Sequence, residues 1–179
     1  VISSTYDITG NTITVNLINN DSLDDVLKNV DISSVDTIKI ISASTGLDSQ
    51  SYVYLNKVKI PNLDLASVNW GKEWKYEFNQ GTLEITPVTS GLPWTEDYTN
   101  SYNDWIKSIK LPQGIELISH YAFYNYRALE SVELPDTVTD IGAEAFLDSS
   151  LKNINLPNSL KIISYNALKE TGWSNFIVA

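Results

Sequence analysis

The chain has 179 residues, 42% of them hydrophobic and 19% charged, with no cysteine and no methionine. This composition argues against wholesale disorder and excludes disulfides, thiolate metal clusters and cysteine nucleophiles. Lys and Arg total 12 against 22 for Asp and Glu, a net charge of −10 with Arg127 as the sole arginine, the reverse of what gripping nucleic-acid phosphates needs.

No run of about 18 apolar residues occurs, so no membrane-spanning segment is expected. The missing methionine suggests a chain processed or trimmed at its start. Charge is uneven: residues 1–105 hold 14 acids and 6 bases, residues 106–179 hold 8 and 6. Two regions are therefore expected, not necessarily as two separate domains.

In chain order, Ile13-Thr-Val15-Asn-Leu17 alternates as an edge strand. Ser22-Leu-Asp-Asp25 before Val26 and Leu27 predicts a short helix, with Ser22 as N-cap and both acids in the first turn. A strand and helix here would cap whatever follows, hiding apolar surface and a bare edge. Val35-Asp-Thr-Ile38-Lys-Ile40, Val58-Lys-Ile60, Leu63-Asp-Leu65 and Leu83-Glu-Ile85 all read as strands. They are expected as degenerate coils of one parallel sheet, at spacings of roughly 20–26 residues. Residues 86–105 form the longest irregular stretch, with Pro87, Gly91, Pro93, Trp94, Tyr98, Tyr102 and Trp105. This stretch is expected to bulge between two coils, and loops on rigid scaffolds commonly carry binding function.

From residue 106 the chain repeats. Ile106-Lys-Ser-Ile109-Lys-Leu111-Pro112 is followed by Ile115, Ile118, Ala122 and Phe123. Leu129-Glu-Ser-Val132-Glu-Leu134-Pro135 is followed by Val138, Ile141, Ala145 and Phe146. Leu151-Lys-Asn-Ile154-Asn-Leu156-Pro157 is followed by Leu160, Ile163, Ala167 and Leu168. Each unit predicts a short strand halted by proline, a tight return, and one helical turn at Ala-Phe. One unit cannot bury its apolar side alone, so the units must stack as a solenoid. A fourth unit starts at Trp173-Ser-Asn-Phe176-Ile-Val178 and stops where its proline would fall, which fits either a natural end closed by Trp173 or a cut.

The pattern Leu-Pro-x-x-Ile-x-x-Ile-x-x-x-Ala-Phe resembles the BspA-type leucine-rich repeat of bacterial cell-surface and secreted proteins, closely over residues 106–172. Gly81-Thr-Leu-Glu-Ile85, Pro93-Trp94 and Ile106-Lys-Ser-Ile109 are similar to the segment that often precedes such arrays. Segment 10–65 is more distantly similar to the N-terminal part of some of these proteins. The family's glycine after the second Ile survives only as Gly142, with Ser119 and Ser164 elsewhere. Its frequent cysteine is replaced by Tyr126, Ser149 and Thr171. The resemblance implies an α/β repeat, mostly β: a right-handed leucine-rich-repeat solenoid with a parallel sheet of short strands and an irregular N-terminal cap. The expected division is a cap with degenerate repeats at 1–80, a lead-in strand and aromatic loop at 81–105, and regular repeats at 106–179.

Little in the sequence supports catalysis. His120 is the lone histidine, and its slot holds Ala143 and Tyr165 in the other units, which fits a variable surface position. Glu130 and Glu133 could suggest paired carboxylates, but register places Lys107, Glu130 and Lys152 in one column and Lys110, Glu133 and Asn155 in another. A flanking lysine lowers a carboxylate's pKa, the wrong direction for a general acid. Oxygen ligands cluster at Glu96, Asp97, Asn100, Asn103 and Asp104, and at Asp21, Asp24 and Asp25, without EF-hand spacing. No metal or cofactor is expected.

The remaining reading is a non-enzymatic binding module, extracytoplasmic by resemblance, that engages a protein partner or serves adhesion. Its candidate binding residues are Trp94, Tyr98, Tyr102 and Trp105 of the loop and Lys110, Glu133 and Asn155 of the strand face. The alternative is a glycan-binding surface protein using the aromatic first half, where Trp70, Trp74, Trp94 and Trp105 lie.

Overall fold

The computed structural model describes residues 3–18, 21–45, 47–69, 74–79, 82–87 and 104–172. Strands β1 (Thr5–Thr9) and β2 (Thr12–Leu17) form an antiparallel hairpin joined at Gly10-Asn11. Gly10 has φ of 62°, a left-handed backbone that glycine adopts without a Cβ penalty. The alternation of Ile13, Val15 and Leu17 marks a strand correctly, but β2 is not the edge: β1 flanks one side of it.

Helix α1 (Leu23–Leu27) follows. The Ser22 Oγ accepts from the Asp25 amide at 3.2 Å, and the helix buries Leu23 and Leu27. Strand β3 (Thr37–Thr45) then pairs in parallel with β2. Helix α2 (Ser49–Val58) is capped by Asp48, which accepts from Ser51 N at 2.9 Å, and it ends at Lys59 in the left-handed region, φ 53°. Val58-Lys-Ile60 is therefore a helix terminus and not the strand its alternation predicts. The Asp48 cap places those residues in the last helical turn, and Ile60 is buried beyond it. Strand β4 (Asn62–Asn69) adds to β3 in parallel, with a register irregularity after Lys39.

Strands β5 (Trp74–Asn79) and β6 (Thr82–Pro87) pair with each other antiparallel, as a separate two-stranded sheet. This corrects the expectation that Leu83-Glu-Ile85 is a coil of the parallel sheet. A triplet of this kind does not specify its partner. The alternating segment directly upstream closes a short hairpin at far less loop-closure cost than a distant parallel slot.

The regular part supplies β7 (Ser108–Lys110), β8 (Leu117–Ile118), β9 (Ser131–Glu133), β10 (Asp140–Ile141), β11 (Asn153–Asn155) and β12 (Ile162–Ile163). One seven-stranded sheet runs β1-β2-β3-β4-β7-β9-β11, and β8, β10 and β12 form a second parallel sheet on the return side. The protein is a mostly-β solenoid of stacked coils. First residues of successive parallel strands, Thr12, Thr37, Asn62, Ser108, Ser131 and Asn153, are 25, 25, 46, 23 and 22 residues apart, yet all stand in register. The column Ile13, Ile38, Leu63, Ile109, Val132 is at most 2% exposed and forms the spine of one core.

The segments around Ala122-Phe123 and Ala145-Phe146 are not the helical turns the sequence predicts. They are successive tight turns in which Tyr121 and Asn125, Glu144 and Asp148, and Asn166 and Glu170 have φ between 54° and 60°. Alternate amides serve different purposes. Ala122 N, Tyr124 N and Tyr126 N close turns within the coil. Tyr121 N, Phe123 N and Asn125 N donate to the carbonyls of Ala143, Ala145 and Leu147 on the next coil, at 3.2, 2.7 and 2.9 Å. An α-helix would use all these amides internally, whereas this corner bonds coil to coil. The rings of Phe123 and Phe146 stack inside it, 5.1 Å apart and 6° from parallel.

Candidate functional site

Outward side chains of the sheet form columns set by strand register. One column reads Thr14, Lys39, Asp64, Lys110, Glu133, Asn155, so charge alternates across four consecutive strands. Lys110 Nζ stands 3.3 Å from Glu133 Oε2, and Lys152 Nζ stands 3.4 Å from Glu130 Oε1, all half-exposed. Such pairs are worth about 0–1 kcal/mol each. They make Glu130 and Glu133 partners of lysines on neighbouring coils of one sheet face. The reading of Lys107, Glu130 and Lys152 as a column extends upstream to Asp36 through the backbone. Lys107 O accepts from Glu130 N and Ser131 N, Pro61 O accepts from Lys107 N, and Asp36 O accepts from Asn62 N, next to Pro61.

Asn155 has a different task. Its Oδ1 accepts from Leu134 N at 2.8 Å and its Nδ2 donates to Leu134 O at 2.9 Å, clamping the end of the neighbouring strand. Ser108 Oγ donates to Asn62 Oδ1 at 2.8 Å, and this bond joins β7 to β4 across the 46-residue step.

Trp94, Tyr98 and Tyr102 lie outside the described residues, as do Trp70 and Trp173. Trp105 is described: it is half-buried and packs against the core. His120 is partly buried, and its Nδ1 accepts from Ala143 N at 3.0 Å, which fixes the proton on Nε2. The ring thus ties two coils together at the point where Gly142 passes close by. A Cβ on Gly142 would lie 2.6 Å from His120 N and 2.8 Å from Ile118 O.

Of the acidic clusters, Glu96, Asp97, Asn100 and Asn103 fall outside the described residues. Asp104 is exposed, while Asp21 and Asp25 accept from Ser4 and Ser22 hydroxyls at 2.7 and 3.0 Å. Among the described residues, no three His, Asp or Glu side chains converge where a metal ion could sit, and no helix is long and apolar enough to cross a membrane.

In the slot where cysteine is frequent in similar repeats, Tyr126 and Ser149 are buried at 0% and 4% exposure without partners for Oη and Oγ. Burial raises the Tyr126 hydroxyl well above the ordinary tyrosine pKa. Phe123 meets the same ring edge-on at 5.4 Å.

Residues 94–178 match the family described as BspA type leucine rich repeat region, in six copies. This stretch is a BspA-type leucine-rich-repeat region. The chain matches no curated protein and no solved structure. The repeat region so defined includes Lys110, Glu133 and Asn155 of the sheet face, and it begins at Trp94, within the irregular stretch that the sequence marks as a binding loop. Its family is one of repeat proteins suited to protein–protein interaction or adhesion, and its coils are of the kind that serve as binding scaffolds.

Proposed function

We propose that the protein is a non-enzymatic, extracytoplasmic module of a cell surface or secretion product, which binds a protein partner through the stretch inserted between β4 and β7. The observation that carries this reading is the pairing of Asn62 with Ser108. The sheet continues in register across a step of 46 residues, where its neighbours are 25 and 23. The scaffold has no need of the extra residues, and segments presented by a rigid scaffold are where binding concentrates. Within the insertion, Trp94, Tyr98 and Tyr102 supply the aromatic anchors that dominate protein interfaces. Trp105 packs on the core where the insertion ends, and the Lys110–Glu133 pair borders the point of return. Asn155 contributes by holding the strand edge.

The glycan alternative gains nothing at Trp105, whose ring packs on the core instead of standing free as a stacking platform. Among the described residues, His120 and both strand glutamates are engaged in contacts between coils, which favours a structural role for them over catalysis.

The test is a binding screen against arrays of extracellular proteins and of glycans. The Trp94→Ala/Tyr98→Ala/Tyr102→Ala variant should lose at least about tenfold in affinity for any protein hit, with melting temperature unchanged. Undiminished binding by that variant, or hits confined to glycans, would refute the reading.

A further inference from the structure

Among the described residues, the first strand of the array has no helix beneath it. In this half the coils have two layers: Ile13, Val15, Ile38 and Ile40 of the strands share one core with Leu23, Leu27 and Leu55 of the helices. The helices are themselves joined, since Leu23 N donates to Ser51 Oγ at 2.9 Å. β1 adds a strand to the sheet but is followed by no helix of its own. Directly opposed residues of an antiparallel pair share a face. Tyr6 opposes Val15 and Ile8 opposes Ile13, so both point to the core side. Val15 and Ile13 are 0% exposed there, whereas Tyr6 and Ile8 remain 47% and 38% exposed.

An open groove of about 660 Å³ lies at this place, lined by Ser3, Ser4, Thr5 and Tyr6 together with Asp21, Asp25 and half-buried Val26. Among the described residues, the side-chain partners of its acids are hydroxyls, Ser4 for Asp21 and Ser22 for Asp25. Among the described residues neither has a cationic partner. Residues 1–105, with 14 acids and 6 bases, also carry most of the net negative charge.

We propose that this groove docks a basic amphipathic helix from a partner protein. The position next to α1 continues the helix layer, which makes a helix the fitting shape. Its apolar stripe would cover Tyr6 and Val26 in the groove and reach Ile8 two residues along the same face of β1, extending the core that the strands share with α1 and α2. Its lysines would neutralise Asp21 and Asp25 at the rim, where exposed charge sets association rate and partner choice. A neutral glycan could use the Tyr6 ring but would gain nothing from the negative potential. This surface is separate from the insertion between β4 and β7, so either can fail without the other.

The test titrates the isotope-labelled protein with a synthetic helix of leucine, alanine and lysine about 14 residues long, near the length at which isolated helices begin to hold. The same helix with glutamate in place of lysine, and a neutral hexose oligomer, are run in parallel. The lysine helix should shift amide resonances of β1 and α1 and leave those of β7–β12 in place. Asp21→Asn/Asp25→Asn should weaken it about fivefold and flatten its salt dependence. Tyr6→Ser/Ile8→Ser should weaken it about tenfold. Both pairs are exposed, and unchanged melting temperatures will show that the fold is kept. The proposal is overturned if the glutamate helix binds equally well, if the hexose oligomer shifts the same resonances in place of the helix, or if the lysine helix leaves β1 and α1 unmoved.

Discussion

The two halves of this solenoid build the same sheet on different backs. Coils from β2 to β4 are 25 residues long and are closed by helices, whereas coils from β7 to β11 take 23 and 22 and are closed by tight turns. Behind the sheet, the helical half keeps its backbone bonds within each helix and joins neighbouring helices through a side chain, as in the Leu23–Ser51 bond. The turn-backed half sends every second corner amide to the next coil and fills the corner with stacked rings. Saving two or three residues per coil thus exchanges side-chain adhesion for backbone adhesion. The exchange places non-glycine residues in the left-handed region at six corner positions; Asn125, Asp148 and Asn166 adopt it readily, and Tyr121, Glu144 and Glu170 each bear a cost of about 1–2 kcal/mol.

If that difference is real, the halves should fail separately, because stability in a repeat array is a sum over neighbours. The largest effect is expected for Phe146→Ala. It removes a fully buried ring from the stack and should cost about 3–5 kcal/mol. Hydrogen exchange should then accelerate across 105–172 while 12–69 stays protected. Uniform acceleration would show a single cooperative unit.

Ser51→Ala is the converse. Ser51 is 0% exposed, and its loss leaves the buried Leu23 amide without an acceptor, at about 1–3 kcal/mol. Exchange should rise in α1 and α2 alone.

The smallest effect concerns a corner column. A hydrogen bond to Glu170 holds Asp148 above its ordinary pKa, and the same bond, aided by Lys169, holds Glu170 below. The raised Asp148 contributes stability while protonated and loses it as pH rises through its folded pKa. Asp148→Asn keeps the donor at every pH. Its melting temperature should exceed the parent's at neutral pH, and the gap should close as pH falls into the carboxylate range. A constant gap would mean the two side chains do not share a proton.

The turn-backed half was the legible one. Leu-x-x-Ile-x-Leu-Pro recurs with so little variation that the neighbours Ile109, Val132 and Ile154 follow from spacing alone. The Lys110–Glu133 contact follows from the same register. The corner was misread because Ala-Phe fits a helical turn equally well. Only the pairing of Phe123 N with Ala145 O, a contact between coils, decides the matter.

In the first half, Val58-Lys-Ile60 and Leu63-Asp-Leu65 look alike, and the Asp48 cap that separates them lies ten residues upstream. Gly10-Asn11 between Thr5–Thr9 and Thr12–Leu17 did carry a hairpin signal, which the short polar strand β1 concealed. The groove beneath Tyr6 had no signature at all. Among the described residues no helix backs β1, and the lack of such a layer leaves no mark in a sequence.

The bond between Ser108 and Asn62 has a further consequence for how such a chain can change. The ladder on either side reads only where the two ends meet, not what travels between them. Roughly doubling a flexible connection costs about 0.6 kcal/mol in ring-closure entropy, less than the loss of one good hydrogen bond. A step of 46 residues is thus nearly as cheap to the sheet as one of 25. New sequence can be spliced in at this seam and discarded again while the coils on both sides stay as they are.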